Sequence, residues 1–251
     1  MYARLVRTPL TRPVFHRIFN TSFLGGIRIV RMSRKETMLK RAALLTLCCL
    51  APLAYQASAA VTLITTCPFV ITQPGQYDLG QDLNCVHGIT INVDHVELQF
   101  NRHTISCPDA FFPAVEVNAS DVSIIGSGLV IGCGSAVYLR SGENNRVVNL
   151  AVYSCRQGII VASDNNVVLS NILLRVAHDG IYVTGSNNII RGNQCEQGGS
   201  AGIIVVSGRE NLIQGNKAHD NAPDLSDLNA ACGSDVWKAN KFGTANQPCV
   251  K

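Results

Sequence analysis

The sequence predicts an all-β fold, a single-stranded right-handed parallel β-helix of about six to seven coils with disulfide-closed end caps. Three observations favour this fold: a 22-residue repeat, apolar residues that alternate within short segments, and cysteines near both ends of the predicted stack. The repeat is clearest in GIIVASDNNVVLSN and GIYVTGSNNIIRGN, which begin at Gly158 and Gly180. One coil cannot bury its apolar side chains alone, whereas stacked coils form a continuous interior.

Five consecutive blocks of 22 residues carry the repeat, and a looser block over residues 89–114 with four extra residues precedes them. Positions 1 and 3 of each block are apolar, which is the alternation of a half-buried strand. Two more apolar segments follow in each block, so we expect three short strands per coil. The blocks are 115–136, 137–158, 159–180, 181–202 and 203–224.

Asparagines mark the predicted turns. The pattern N-x-[IV]-x-x-N begins at Asn166, Asn188 and Asn211, and Asn145 begins a copy whose last place is Leu150. Asparagine tolerates left-handed backbone at a tight corner, and stacked asparagine side chains can bond one another along an axis. We therefore interpret these residues as structural.

Cysteines bound both ends of the repeat region. Cys67 and Cys85 enclose a Pro-Gly turn, while Cys232 and Cys249 enclose the only tryptophan, Trp237. A solenoid exposes its interior and its strand edges at both ends unless something covers them. We predict that each cysteine pair closes a cap and that Trp237 plugs the second one.

Four cysteines remain in the repeat region. Cys107, Cys133 and Cys155 share one position of successive blocks, on the outside or at a corner of the stack. Cys107 with Cys133 is the favoured bond, because the four-residue insertion supplies slack for disulfide geometry. Cys155 and Cys195 fit each other poorly, so their pairing stays open.

The first 59 residues differ in composition from the rest. They hold 10 of the 21 Lys and Arg residues and one acid, whereas residues 60–251 hold 11 basic and 16 acidic residues, a balance of −5. The basic character therefore belongs to the leader, and we expect no nucleic-acid partner. A short anchor and a transit-type extension are the alternatives for this leader.

A secretory signal peptide is predicted within that leader. Met38-Leu39-Lys40-Arg41 precedes an apolar run, and Ala57-Ser58-Ala59 provides a small-x-small cleavage site. The run is shorter than the ~20 apolar residues that span a bilayer, so we expect no stable membrane insertion after cleavage near Ala59. The expected location is secreted or periplasmic. The predicted organisation is a mis-assigned start or leader (1–37), signal peptide (38–59), N-terminal cap (60–88), β-helix repeats (89–224) and C-terminal cap (225–251).

Several segments resemble a known family. They are PGQY (74–77), DLNC (82–85), GITI (88–91), VEL (96–98), NRHTI (101–105), DVWKANKF (235–242) and NQPC (246–249). Together they are similar to exported right-handed parallel β-helix proteins of the pectate-lyase-like superfamily, a likeness that spans about residues 64–251. This resemblance implies a protein that binds or cleaves carbohydrate.

This sequence lacks some of the residues that enzymes of the family use for catalysis. Family lyases cluster several Asp side chains for Ca²⁺, and family hydrolases use a Gly-His-Gly turn that this sequence lacks. Arg102 also stands where the family usually has Gly. We expect no cofactor and no metal site, with Ca²⁺ possible only for a lyase. The histidines occupy different positions of the coils and form no metal set.

Outward-facing positions of the first strand in each block suggest a ligand strip. Glu116, Tyr138, Arg140 and Tyr182 occupy such positions. Tyrosine rings can lie against pyranose faces, and an arginine can bind a uronate carboxylate. The alternative is that these are ordinary exposed strand residues.

A second cluster offers weak catalytic candidates: Arg175, His178, Asp179 and Asp224. Two coil rises of ~4.8 Å place Asp179 and Asp224 ~9 to 10 Å apart, the outer limit for inverting glycoside hydrolysis. The alternative is the ordinary polar corner that precedes each first strand.

Three functions fit these observations. The first is a polysaccharide lyase, epimerase or glycoside hydrolase acting on an acidic glycan. The second is a non-catalytic protein that binds a polysaccharide or surface glycan. The third is a structural or interaction repeat protein. Few carboxylates lie on the outer face, and only one insertion interrupts the period, so we favour binding over catalysis.

Overall fold

The computed structural model describes residues 60–109 and 111–251, which form a parallel β-solenoid of three sheets. The predicted leader and the predicted signal peptide lie outside these residues. Sheet 1 contains the strands that open the six predicted blocks, with one further strand at each end: β2 (Phe69–Ile71), β5 (Ile89–Ile91), β8 (Pro113–Asn118), β11 (Ser135–Ser141), β14 (Gln157–Val161), β17 (Ile181–Val183), β20 (Ile203–Val205) and β23 (Leu225–Asp227).

The other two strands of each coil form sheets 2 and 3. Sheet 2 contains β1 (Thr62–Ile64), β3 (Gly75–Leu79), β6 (Val96–Gln99), β9 (Ser123–Ile125), β12 (Arg146–Val148), β15 (Val167–Leu169), β18 (Ile189–Arg191), β21 (Leu212–Gln214) and β24 (Val236–Lys238). Sheet 3 contains β4 (Leu83–Asn84), β7 (Thr104–Ser106), β10 (Leu129–Ile131), β13 (Ala151–Tyr153), β16 (Ile172–Leu174), β19 (Gln194–Glu196) and β22 (Lys217–His219). A 3₁₀ turn spans Ala230–Cys232. No helix of these residues is long and apolar enough to cross a membrane.

The predicted 22-residue register is confirmed. The first residues of the five blocks stack directly on one another in sheet 1 and are fully buried: Val115, Val137, Ile159, Ile181 and Ile203. The solenoid has about eight coils rather than six to seven, because the strands of sheet 1 number eight. Two strands add to the six predicted blocks. β2 continues the stack because residues 62–84 bury their own apolar residues, such as Ile64 and Ile71, and β23 continues it because Leu225 is buried against Ile203.

Close packing explains why a glycine directly precedes the first residue of the last three blocks, at Gly158, Gly180 and Gly202. A Cβ atom on Gly158 would lie 2.0 Å from the carbonyl oxygen of Gly180. The backbones of neighbouring coils approach too closely there for any side chain.

Two ladders of buried asparagines run along the solenoid. In the first, the backbone N–H of Asn145 donates to Oδ1 of Asn166 (3.0 Å), and the pattern continues through Asn188 and Asn211. The second ladder consists of Asn171, Asn193, Asn216 and Asn240. Left-handed backbone falls on other residues of the turns, such as Asn144 (φ 60°). The ladder asparagines therefore serve as hydrogen-bonding partners for the neighbouring coil.

Three disulfides join Cys67 to Cys85, Cys107 to Cys133 and Cys232 to Cys249. They are the three pairs that the sequence predicts. Cys155 and Cys195 are free and buried. Cys155 therefore lies inside the stack, where burial raises the pKa of its thiol to about 11.

Candidate functional site

The outer face of sheet 1 positions the predicted ligand strip. Glu116, Tyr138, Ile160 and Tyr182 are in register in one column, because their strand neighbours point into the core. Two coil rises separate Tyr138 from Tyr182, which is ~9.6 Å at the usual strand spacing. The structure thus places three of the four predicted residues in this column.

Arg140 lies beside this column and already has partners. Its Nε is 3.0 Å from Oε1 of Glu116, and its guanidinium carbon is 5.1 Å from the ring centre of Tyr138. Arg140 is more than half exposed, so water screens this pair. A uronate carboxylate would have to compete with Glu116 for this arginine.

A cleft of ≈ 530 Å³ opens around these residues. Phe111 and Phe112 form one wall, and both are exposed, Phe111 to 76%. They belong to the four-residue insertion, which is held by the Cys107–Cys133 disulfide before it and by β8 after it. The ring of Phe112 also packs on His87, with 4.0 Å between ring centres. The insertion therefore places two aromatic rings next to Tyr138.

A second wall comes from the corners two and three coils after the insertion. Arg156 and His178 stack there, since the backbone N–H of His178 donates to the carbonyl oxygen of Arg156 at 2.8 Å. Both side chains are exposed. Arg156 forms no ion pair with any carboxylate of the described part of the chain. Gln157 and Ile160 complete this wall.

The charges of the cleft differ from those of the surrounding domain. Its lining has the two arginines Arg140 and Arg156, together with His178, against one carboxylate, Glu116. Residues 60–251 as a whole carry five more acidic than basic side chains, from 16 against 11. Because Glu116 is paired with Arg140, the unpaired charge of the cleft is positive.

Comparison with known families agrees with this architecture. Residues 135–236 match the family model described as Right handed beta helix region. The protein is a β-helix repeat protein. The matched part begins with β11 and leaves out the insertion and Glu116, so the β-helix family model covers one wall of the cleft. Comparisons with curated proteins and with solved structures give no match.

The four weak catalytic candidates do not lie together at one site of this β-helix. Arg175 extends over the outside of sheet 3, where it donates to the Tyr153 hydroxyl at 2.9 Å, whereas His178 lines the cleft on sheet 1. Asp179 accepts the backbone N–H of Ala201 at 3.1 Å. Neither Arg175 nor Asp179 lines the cleft.

Asp224 has a structural environment in the C-terminal cap. It is buried, and its carboxylate accepts hydrogen bonds from Asn221, Gly243 and Thr244. Burial alone would raise its pKa, but the N–H groups of these residues outweigh that cost and hold the pKa below its usual value. A carboxyl with a lowered pKa is a poor general acid near neutral pH.

The cleft does not fit Ca²⁺, the metal that the resemblance to lyases implies. Ca²⁺ takes six to eight oxygen ligands, and the lining offers one carboxylate, which is paired with Arg140. No group of three or more His, Cys, Asp or Glu side chains in residues 60–109 and 111–251 is arranged to hold a metal ion.

Sequence reasoning missed Phe111, Phe112, Arg156 and Gln157 as parts of this site. One signal was present in the sequence: two adjacent phenylalanines inside the only insertion of the repeat. Exposed aromatic residues in an otherwise regular solenoid indicate a binding surface.

Proposed function

We propose that this β-helix protein binds a polysaccharide or a cell-surface glycan in the cleft on the outer face of sheet 1. The observation that carries the proposal is the cleft itself, which combines exposed aromatic rings with hydrogen-bonding and charged side chains. Ligand sites of proteins typically join apolar surface with a few convergent polar groups in this way.

The aromatic wall supplies the apolar part of the proposed site. Phe111, Phe112 and Tyr138 line one cleft, and most of the Phe111 side chain is exposed. Aromatic rings offer flat apolar surface that matches the C–H face of a pyranose ring. Contact with a sugar would remove this surface from water, which favours binding.

The polar wall suggests an acidic glycan. Arg156 has no carboxylate partner in the described residues, and Gln157 and His178 lie beside it. A guanidinium binds a carboxylate through two parallel hydrogen bonds, while glutamine and histidine can bond hydroxyl groups. We therefore assign the recognition of a negatively charged sugar to Arg156 rather than to the paired Arg140.

The proposed location is outside the cytoplasm, after cleavage of the predicted signal peptide near Ala59. The three disulfides support this proposal, because such bonds persist mainly in oxidising compartments. N-terminal sequencing of the protein recovered from its native host would test it. A mature chain that begins within residues 1–37 would contradict it.

Glycan affinity gives the direct test. The oxidised protein is passed over immobilised neutral, uronate-containing and sulfated polysaccharides, and we expect saturable retention on an acidic member. Arg156→Ala and Phe111→Ala should each weaken retention at least ~10-fold, the usual cost of losing a charged hydrogen bond or an aromatic contact. Ile204→Ala is the matched control, because Ile204 lies in the same outward column but outside the cleft.

The outcomes separate the three candidate functions. Absence of retention on every polysaccharide, or equal loss in Ile204→Ala and Arg156→Ala, would overturn the proposed site. Release of reducing ends, or of products that absorb in the ultraviolet, would identify an enzyme instead. Tyr182→Ala measures the length of the site, since Tyr182 lies outside the cleft yet in the same column as Tyr138.

A further inference from the structure

Within the described residues, the first strand of sheet 2 has a free edge. β1 pairs with β3 on one side, and no strand of the described residues pairs with its other side. The carbonyl oxygen of Ile64 accepts the N–H of Gly80 at 2.9 Å, so the backbone groups of Ile64 face β3. Successive residues of a strand direct these groups to opposite edges, and those of Leu63 therefore point to the free edge.

Exposed apolar side chains and the absence of charge characterise this end. Leu63 is 61% exposed and Val70, in the edge strand β2 of sheet 1, is 52% exposed. Residues 60–77 contain no Asp, Glu, Lys, Arg or His. Natural edge strands usually carry charges that prevent pairing with another chain, and β1 and β2 have none.

The opposite end of the solenoid cannot offer a matching edge for sheets 1 and 3. There Lys241 pairs with Lys217 of β22, and Ala245 pairs with Leu225 of β23. These contacts cover the last strands of two sheets. If the N-terminal end of one copy stacked on the C-terminal end of the next, the chain around Lys241 and Ala245 would separate the strands of sheets 1 and 3. An open filament is therefore disfavoured.

We propose that two copies of this chain associate head to head, with β1 of one copy pairing antiparallel to β1 of the second across a two-fold axis near Leu63. A self-complementary contact of this kind closes after two subunits. In an antiparallel pair, two residues that lie opposite each other exchange both backbone hydrogen bonds, and Leu63 has both groups free to do so. The uncharged surface lets the two copies approach without repulsion.

Sedimentation equilibrium of the protein recovered from an oxidising expression host tests the proposal. We expect a concentration-dependent equilibrium between monomer and dimer, with a dissociation constant below about 100 µM. Leu63→Lys brings two ammonium groups together at the axis and should weaken the dimer at least ~10-fold. Val236→Lys is the matched control, because Val236 is also exposed (50%) on sheet 2 but lies on β24 at the other end. It should leave the dimer unchanged, and thermal unfolding of each variant checks that it is folded.

A gain-of-function variant tests the same contact independently. Leu63→Cys should form a covalent dimer on mild oxidation, since the two-fold axis brings both copies of the residue together, whereas Val236→Cys should not. A monomer at every concentration, a series of larger oligomers, or a dimer that persists in Leu63→Lys would overturn the proposal. So would a monomer in which residues 1–59, identified by mass spectrometry, protect the Leu63 amide from hydrogen exchange.

Discussion

The two ends of this solenoid are closed by different chemistry. At the C-terminal end, the buried carboxylates of Asp224 and Asp227 organise a network of hydrogen bonds beneath the final strands. At the N-terminal end, the Cys67–Cys85 disulfide and apolar side chains cover the core, and Asp78 is the first charged residue of the described range that begins at residue 60. The difference shows that covering a core and blocking a strand edge are separate tasks. Within the described residues, the C-terminal end covers its core and the edges of sheets 1 and 3, whereas the N-terminal end covers its core but leaves its strand edges unpaired.

Asp227 is the centre of the C-terminal network. It is fully buried and accepts hydrogen bonds from Nε1 of Trp237 at 2.8 Å and from the N–H of Asn229 at 2.9 Å. Trp237 is 5% exposed and lies in register with Ile213. The tryptophan therefore plugs the end of the stack, and Asp227 satisfies its indole N–H.

The largest expected effect is that of Asp227→Ala. The substitution leaves the indole N–H of Trp237 and the N–H of Asn229 buried without an acceptor, so we expect a loss of about 3–5 kcal/mol in the free energy of unfolding. Urea unfolding followed by the fluorescence of Trp237, the single tryptophan, measures it. Asp227→Asn keeps one acceptor and should cost less. A loss below about 1 kcal/mol in Asp227→Ala would show that the hydrogen bonds of Asp227 do not stabilise the C-terminal end.

The two terminal disulfides give a matched comparison of the ends. Their cysteines are 18 and 17 residues apart, so removing either bond should cost about 3 kcal/mol through the entropy of the unfolded chain. The local effects should differ. Without Cys67–Cys85 we expect hydrogen exchange to accelerate over residues 62–84, whereas without Cys232–Cys249 the network around Asp227 should keep residues 225–238 protected.

The variants for this comparison are the double substitutions Cys67→Ser with Cys85→Ser, and Cys232→Ser with Cys249→Ser. Each is compared with the oxidised wild-type protein in hydrogen-exchange mass spectrometry. Equal loss of protection at both ends would contradict this expectation. It would show that the hydrogen bonds of the C-terminal end protect its backbone only while the disulfide is present.

The smallest expected effect concerns Asp235, which ends the first asparagine ladder by accepting the N–H and Nδ2–H of Asn211. Burial raises the pKa of Asp235, and repulsion from Asp227 adds to this increase, although hydrogen bonds from Asn211 and Asn229 oppose it. A raised pKa means that the folded state binds a proton more readily than the unfolded state. The charged form therefore costs stability at neutral pH, and the protein gains stability as pH falls through the folded pKa.

Asp235→Asn should remove this pH dependence while it continues the ladder. Relative to wild type, the variant should lose stability as pH falls from 7 towards 4, with a change below about 1 kcal/mol. Thermal unfolding of both proteins across this range measures the difference. A difference that is constant with pH, or that grows in favour of the variant at low pH, would contradict the assignment.

Particular residues show how far sequence reasoning reached. The stacking of Val115 on Val137 was predictable, because apolar alternation and a constant period together leave one register that buries every block. The Cys107–Cys133 pair was predictable from the same register. The coil formed by residues 62–84 was harder to recognise, since its segments lack the 22-residue spacing. The role of Asp224 was also obscured, because its donors Gly243 and Thr244 follow it by about one coil.

The sequence by itself determined the stack: its period, its buried columns, its asparagine corners and its three disulfides. Each of these depends on spacing along the chain, which a repeat makes readable. Only the tertiary structure decided that Phe111 lines the same cleft as Arg156 and His178, and that Glu116 neutralises Arg140. The cleft joins an insertion, which breaks the period, to side chains two and three coils away. Their geometry depends on how the inserted residues pack, and periodicity carries no information about that.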